Sequence, residues 1–518
     1  MSQALERFSI SAPGFYGLNT QDSPLDLAAG FALTATNCIL DKYGRMGARK
    51  GWTKVNTSSG NLGANDIGVI HELVRTDGSV TTLFAGNNKL FKLSGTTVDE
   101  LTYGGGGTAP TITASNWQAA SLNGITYFFQ LGHDPLIYDP AVSSTTYRRV
   151  SEKAGYAGTV PSGNIVCSAY GRLWIAGSAT DKTTLTFSDL IAGHIYTGGT
   201  SGTLNVNNVW ANGADEITGL AAHNGFLFIF GKRQILVYSG ATAPSTMTLS
   251  DTVVGIGCQY RDSIQSTNTD VVFLSNSGVR SVLRTIQEKS APFRDLSKNV
   301  RNDLMQLVAG ESPANIKAVY SEVDAFYLLT FPTANQVYVF DTRSVMQDGS
   351  ARATTWNHIE PTALCALRNG DLLIGKNGYI GKYSGYLDNG QTYRMSYYTN
   401  HADLGDVTIT SIVKRISIVV IGGSDQVVTV KWGYDFSESY LSENEQIPTQ
   451  GISEYGIAEY GANSVPLSQY AGGIVIQTLT TQATGSGKVV QTGYEAEVNG
   501  FELSIQKIEI LAKRGRIS

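Results

Sequence analysis

Residue types able to do chemistry are spread thinly along this 518-residue chain. The six histidines, at 71, 133, 194, 223, 358 and 401, never form the closely spaced pair that a helix-borne zinc site needs. His133-Asp134 reads as part of a turn. Glycines 104–107 form the longest glycine run, but no Gly-Lys-Ser or Gly-Lys-Thr follows and no strand-to-helix context surrounds them. They read as a flexible connector, not a phosphate cradle. Gly-x-Ser-x-Gly is absent, and Asp215-Glu216 and Asp324 fit solvated carboxylates as readily as catalytic ones. Cys38, Cys167, Cys258 and Cys365 stand far apart and match no CxxC spacing, and Cys167 and Cys365 sit inside apolar runs, so free buried thiols are expected. The expectation is a non-enzymatic protein with no catalytic, cofactor-binding or metal-binding residues and no cofactor.

The elements that must position these residues are strands and tight turns. Glycine is abundant at 57, tyrosine reaches 26 and charged residues are only 16% of the chain. Lysine plus arginine total 38 against 43 acidic residues, so the chain lacks the electrostatic footprint for holding nucleic acid, whereas transient passage of DNA is compatible with it. The basic clusters Arg148-Arg149, Lys232-Arg233, Lys414-Arg415 and Lys513-Arg514-Gly515-Arg516 read as solvated faces. Residues 1–10 have no charged segment leading into an apolar one, and no window approaches 18 uninterrupted apolar residues. A soluble product made in a cytoplasm, without stable membrane association, is expected.

A period runs through the middle of the chain. A polar residue plus glycine precedes a short apolar run at Asp77-Gly78, Asn123-Gly124, Tyr170-Gly171, Asn224-Gly225, Ser277-Gly278 and Asn369-Gly370, with Val323-Asp324 in the missing slot. The intervals are 46, 47, 54, 53, 46 and 46 residues. Asn-Gly and Asp-Gly favour two-residue hairpin turns, and the runs that follow (125–129, 173–176, 226–230, 326–330 and 372–374) are aromatic and aliphatic, as buried strands are. A second mark, an aromatic followed by serine or aspartate, recurs in phase at Tyr138-Asp139, Phe187-Ser188, Tyr238-Ser239, Phe340-Asp341 and Tyr383-Ser384. The period suits four strands per blade, so the expected fold is all-β: a β-propeller of about seven four-stranded blades over 63–388. Sandwiches stop after fewer strands and β-helices repeat at shorter periods. A helical insertion is expected near 297–308, capped by Ser297 with Val300, Leu304, Leu307 and Val308 on one face.

Propeller enzymes gather carboxylates, arginines or tyrosines at the central channel from different blades, so their sites leave weak sequence traces. The sialidase-type Ser-x-Asp-x-Gly-x-Thr-Trp box has only an ill-spaced echo at Arg75-Thr76-Asp77-Gly78-Ser79, and the Trp-Asp ending of WD repeats is missing.

Residues 1–62 fall outside the period and read alone as an irregular arm, assigned to docking and propeller closure. Residues 389–518 read as a small β-sandwich, with strands at 416–420, 427–432, 474–479 and 503–511 and a long loop over 438–470. Asn19-Thr20-Gln21-Asp22-Ser23-Pro24-Leu25, Ala29-Gly30, Asn37, Tyr43-Gly44-Arg45 and Arg49-Lys50-Gly51-Trp52 resemble the opening of the tail nozzle, or tail hub, proteins of short-tailed phages (podoviruses), also called tail tubular or DNA-stabilisation proteins. Asp295-Leu296-Ser297, Ile316-Lys317-Ala318-Val319-Tyr320, Ser396-Tyr397-Tyr398, Leu404-Gly405, Lys414-Arg415-Ile416 and Gly500-Phe501-Glu502-Leu503 are similar to later segments of the same family.

The resemblance implies a structural virion protein. Six copies would form a ring in the phage tail, meet the portal and adaptor on one side and tail fibres or spikes on the other, close the DNA exit and form part of the ejection conduit for double-stranded DNA. Alternatives are a tail propeller that hydrolyses or lyses polysaccharide, and a cellular interaction scaffold. The lumen is expected to be neutral to acidic, with 197–208 and the loop after Glu438 as candidate gates.

Overall fold

The computed structural model describes residues 5–113, 116–287, 295–403, 408–437, 439–448 and 476–517. Seven sheets are arranged around one axis, each starting from an innermost strand: Ile67–Val74, Gln118–Leu122, Ile165–Ala169, Ile217–His223, Gln265–Ser266, Lys317–Ser321 and Ala363–Ala366. Each innermost strand lies beside the next, and the last abuts the first, which closes the ring. From there the strands step outward as antiparallel neighbours, Val80–Gly86, Lys89–Ser94 and Thr97–Glu100 completing the first blade.

Six of the sheets are complete blades with four or more strands, and among the described residues the fifth ring position holds three, Gln265–Ser266, Val271–Ser275 and Gly278–Ser281. The expected count of about seven four-stranded blades is corrected accordingly. A short helix, Val282–Gln287, begins where a fourth strand would follow. The fifth turn mark is also out of phase: Ser277-Gly278 joins the second and third strands of its sheet, and the inner hairpin turns instead through Thr267 to Asp270, a glycine-free turn closed by Thr267 N–H to Asp270 O at 2.7 Å. Elsewhere the marks sit where the period places them. Asn123-Gly124 and Asn224-Gly225 both have two positive φ values (50° and 74°, 47° and 83°), which match the twist of the strands they join. The aromatic-plus-Ser/Asp mark ends the third strand of four of the blades that carry it, and in the sixth Phe340-Asp341 lies mid-strand in Gln336–Val345.

Packing follows from buried strands having two apolar faces. Six of the seven gaps are filled by clusters of their own, such as Leu83, Leu90, Trp117 and Phe128 between the first and second blades, or Trp174, Phe187, Leu227 and Leu236 between the third and fourth, while the gap between the fifth and sixth sheets shares a cluster with the C-terminal sheets. At roughly 1.5–3 kcal/mol for each fully buried large apolar side chain, these clusters oppose blade opening. The helical insertion is a 3₁₀ turn, Lys298–Val300, running into an α-helix, Arg301–Gly310, with Leu304 and Val308 buried. Ser297 makes no side-chain cap; its Oγ instead accepts the Val279 N–H at 2.9 Å and ties the helix to the fifth sheet.

The N-terminal segment is not irregular. Leu5–Ser11 pairs with the C-terminal strand Leu503–Ile517, Gly17–Leu18 and Phe31–Thr36 lie parallel to the outer strand of the sixth blade (Ala351–Trp356), and the hairpin Cys38–Leu40/Met46–Ala48 joins the C-terminal sheet. Trp52–Lys54 then becomes the outermost strand of the seventh blade, paired with Tyr379–Tyr383. The C-terminal part forms two sheets. One contains Ile409–Gly422, Ile476–Thr481 and Leu503–Ile517, and the other Tyr393–Thr399, Val490–Val498, Val427–Tyr434 and Leu441–Gln446. The second is continuous with the sixth blade through the arm strands, giving one ten-stranded sheet. Residues 441–446, read from sequence as loop, are a strand; residues 449–475 lie outside the described residues.

Candidate functional site

The propeller axis is where a blade-built site would lie, and a side-chain cluster closes it. Arg261–Ser263, a short 3₁₀ turn entering the fifth sheet, lies against the innermost strands. The Arg261 guanidinium donates to the Asn164 carbonyl at 2.7 Å and the Trp117 carbonyl at 2.9 Å, reaching the entrances of the third and second blades, and pairs with Asp262 at 2.7 Å. Lys317, at the start of the sixth blade, pairs with Asp262 from the other side. Burial pushes the Asp262 carboxyl up, but the charges of Arg261 and Lys317 more than offset it and hold the group down to about 2. Beside this cluster lies an axial cavity of about 140 Å³, lined by His71, Gln118 and Gln265 among others. It has room for a handful of waters and none for a nucleic-acid strand. His71 donates to or accepts from Ser121 Oγ at 2.7 Å, and burial lowers its imidazole to about 4, so it is neutral.

Two wider cavities open at the ends where the innermost strands begin, one of about 730 Å³ and one of about 420 Å³, with Asn116 and Ala314 in both walls.

The carboxylates raised by sequence serve the fold. Asp215 accepts the N–H groups of Lys232 and Arg233 at 3.0 and 2.9 Å, Glu216 pairs with Lys232 at 2.7 Å, and Asp324 pairs with Lys50 at 2.7 Å. Arg149 is held by Glu152 and Tyr103. Asp134 accepts from Ser151, which places His133-Asp134 in a loop contact. The cysteines are unpaired; Cys38 and Cys258 are buried, while Cys167 and Cys365 are half-buried, and burial raises the thiols of Cys167, Cys258 and Cys365 to about 12. Among the described residues no group of three or more His, Cys, Asp or Glu is placed to hold a metal ion, and no helix is long and apolar enough to cross a membrane. Of the gate candidates, 197–208 contains the outer strand Gly202–Asn205 of the third blade, and the second reaches into residues outside those described.

Sequence reasoning missed the junction of arm, seventh blade and C-terminal sheets. Arg49, fully buried, makes a bidentate pair with Asp388 at 2.6 and 2.8 Å, donates to Asn37 Oδ1 at 2.9 Å and lies 4.0 Å above the Tyr393 ring. The Asn37 amide donates to Asn357 Oδ1 at 2.6 Å and to the Arg394 carbonyl at 2.7 Å. Asn19 Oδ1 accepts the N–H groups of Gln21 and Asp22 at 3.0 and 3.2 Å and shapes the turn after Gly17–Leu18. A Cβ on Gly51 would lie 2.0 Å from the Leu387 carbonyl oxygen. Of the arm residues whose pattern is distinctive in sequence, Asn37, Arg49 and Gly51 thus fasten the arm, while Asn19 shapes a turn within it.

The fold places the chain among the β-propeller proteins. No protein-family model matches it, and no curated protein matches it. Solved structures similar to it include the extracellular domain of the putative one component system BT4673 from B. thetaiotaomicron, at 10% identity over 83% of this chain and 60% of that one with a TM-score of 0.42. The Neurospora crassa Pan2 WD40 domain follows at 11% identity over 65% and 97%, with a TM-score of 0.35. PorZ, a surface component of the type-IX secretion system of Porphyromonas gingivalis, shows 12% identity over 67% and 42%, with a TM-score of 0.35. The chain therefore spans about 60% of the length of the BT4673 domain it resembles. These are likenesses of fold.

Proposed function

We propose that the chain is a structural subunit of a short-tailed phage tail, six copies forming a ring that closes the DNA exit and contributes to the ejection conduit, with portal and adaptor proteins on one side and fibres or spikes on the other. The observation that carries this reading is the arm: among the residues resembling the nozzle family, Asn37, Arg49 and Gly51 lock arm, propeller and C-terminal sheets together. A part that resists packed DNA must be stiff, and this weave supplies stiffness. The side-chain cluster across the propeller axis supports a conduit enclosed by several copies over one running through the interior of a single copy. Leu441–Gln446 and Ile476–Thr481 end their sheets among the described residues and are candidate surfaces for ring contacts, since a sheet edge offers backbone groups for pairing.

The role involves no bond-making step. With a formal charge of −5 per copy, the lumen lets DNA pass without holding it by counterion release. Electron microscopy of the purified protein and of virions is expected to show a sixfold ring at the tail, and filter binding is expected to find no tight, salt-sensitive retention of duplex DNA by assembled rings. A protein that stays monomeric and is absent from tails would overturn the reading.

A further inference from the structure

The 730 Å³ cavity lies between the first, sixth and seventh blades, at the ends where their innermost strands begin. Its size falls within the range of small-ligand sites. Its wall is unusually rich in amides: Asn65, Asn87, Asn116, Asn315 and Asn377 all line it, with the hydroxyls of Thr333 and Thr362. Its charges cancel. Asp66 and Glu360 face Lys317 and Lys376; Lys317 is already paired with Asp262, and Lys376 stands 4.0 Å from Glu360. An anion or a cation therefore finds no excess of the opposite charge.

Three of the amides are fixed in advance. Asn65 donates its Nδ2 to the Leu62 carbonyl at 2.9 Å, Asn87 to the Asn61 carbonyl at 2.8 Å and Asn315 to Glu311 Oε1 at 2.9 Å. Each amide plane is thereby held, with its carbonyl oxygen retaining acceptor capacity, and little side-chain freedom is left to lose on binding. Pro332 adds apolar surface, and Tyr379, stacked on Trp52 at 5.1 Å, adds an aromatic edge. A ligand bearing many hydroxyls, each both donor and acceptor, on a ring with C–H faces matches neutral amides and hydroxyls interleaved with apolar patches.

We propose that this cavity binds a saccharide, as a recognition site separate from any ring contact. The test uses the full chain in saturation-transfer NMR and calorimetry, with maltotriose, cellotriose, chitotriose and a galactose trisaccharide as probes, and inorganic phosphate and ADP as anionic ones. At least one trisaccharide is expected to bind. Its affinity should fall about tenfold in Asn377→Ala, with an unchanged melting temperature, and in Asn315→Ala, whose melting temperature falls slightly with the lost bond to Glu311. Asn207→Ala, on the third blade and outside the cavity, should bind as the parent does. Absence of binding across the four saccharides, binding indifferent to both cavity substitutions, or binding of phosphate or ADP alone would each overturn the proposal. None of these outcomes bears on whether the protein forms a tail ring.

Discussion

At the scale of single residues, the most heavily committed side chain is Arg49. Its guanidinium is buried and meets Asp388, Asn37, the Lys50 carbonyl and the Tyr393 ring. Replacing it with methionine keeps the packing volume but leaves Asp388 in a largely buried site without its counter-charge. Arg49→Met is expected to lower stability by about 3 kcal/mol, and Arg49→Lys to recover only part of that, because a point charge cannot reproduce the bidentate fork; urea denaturation reads both. Asp262 makes a pH prediction. Its folded-state carboxyl is held down to about 2 by Arg261 and Lys317, below the value near 3.9 of an unfolded aspartate. Its contribution is therefore complete above about pH 4 and is lost as pH falls toward 2. Asp262→Asn should be less stable than the parent at pH 7 by roughly 2 kcal/mol, with the gap narrowing between pH 4 and pH 3. A gap independent of pH would refute the account. His71 also lines the axis, and because burial holds its imidazole down to about 4 it takes up a proton inside the same window, so the comparison is made in a His71→Asn background.

Elements were legible in proportion to how local their causes are. Asn123-Gly124 and Asn224-Gly225 announce hairpins because the turn chemistry lies in the dipeptide itself, and the strands that follow pair with their sequence neighbours. The fifth sheet was misphased for the same reason: Ser277-Gly278 is a good turn dipeptide but belongs to the outer hairpin, while the inner one turns without glycine. The arm was illegible as strand because its partners are distant, Gly17 aligning with Ala353 and Leu5 with Lys513. No periodicity within residues 5–54 encodes that. Arg49 likewise meets Asp388 across 339 positions, so its burial left no local signal. Gly51 tests the arm at this scale. A Cβ there would collide with the Leu387 backbone, so Gly51→Ala is expected to undock Trp52–Lys54 from the seventh blade. Limited trypsin digestion should then cut rapidly at Lys50 or Lys54, where the parent resists; equal resistance would show that the closure tolerates displacement.

Across the whole molecule, the question is whether propeller and C-terminal sheets behave as two bodies. Chains of this length usually unfold in more than one step. Here one core cluster contains Leu274 of the fifth sheet, Leu304 of the helix, Phe340 of the sixth blade, Tyr397 and Trp432 of one C-terminal sheet and Ile510 of the other. Main-chain hydrogen bonds also run without interruption from Lys317–Ser321 through the arm strands Gly17–Leu18 and Phe31–Thr36 to Leu441–Gln446. The sixth blade cannot open without exposing the sandwich core, and the sandwich cannot open without stripping the arm from that blade. Scanning calorimetry of the full chain is therefore expected to give one transition, with equal calorimetric and van't Hoff enthalpies. Removing residues 1–50 spares Trp52–Lys54, so the seventh blade keeps its outer strand, but takes away both strands that bridge the ten-stranded sheet. The shortened chain should show two transitions, or one at markedly lower temperature with a calorimetric enthalpy well above the van't Hoff value. Two separated transitions in the intact chain would mean that the bridge is too weak to couple the bodies, and the stiffness on which the proposed tail role depends would have to come from neighbouring copies instead.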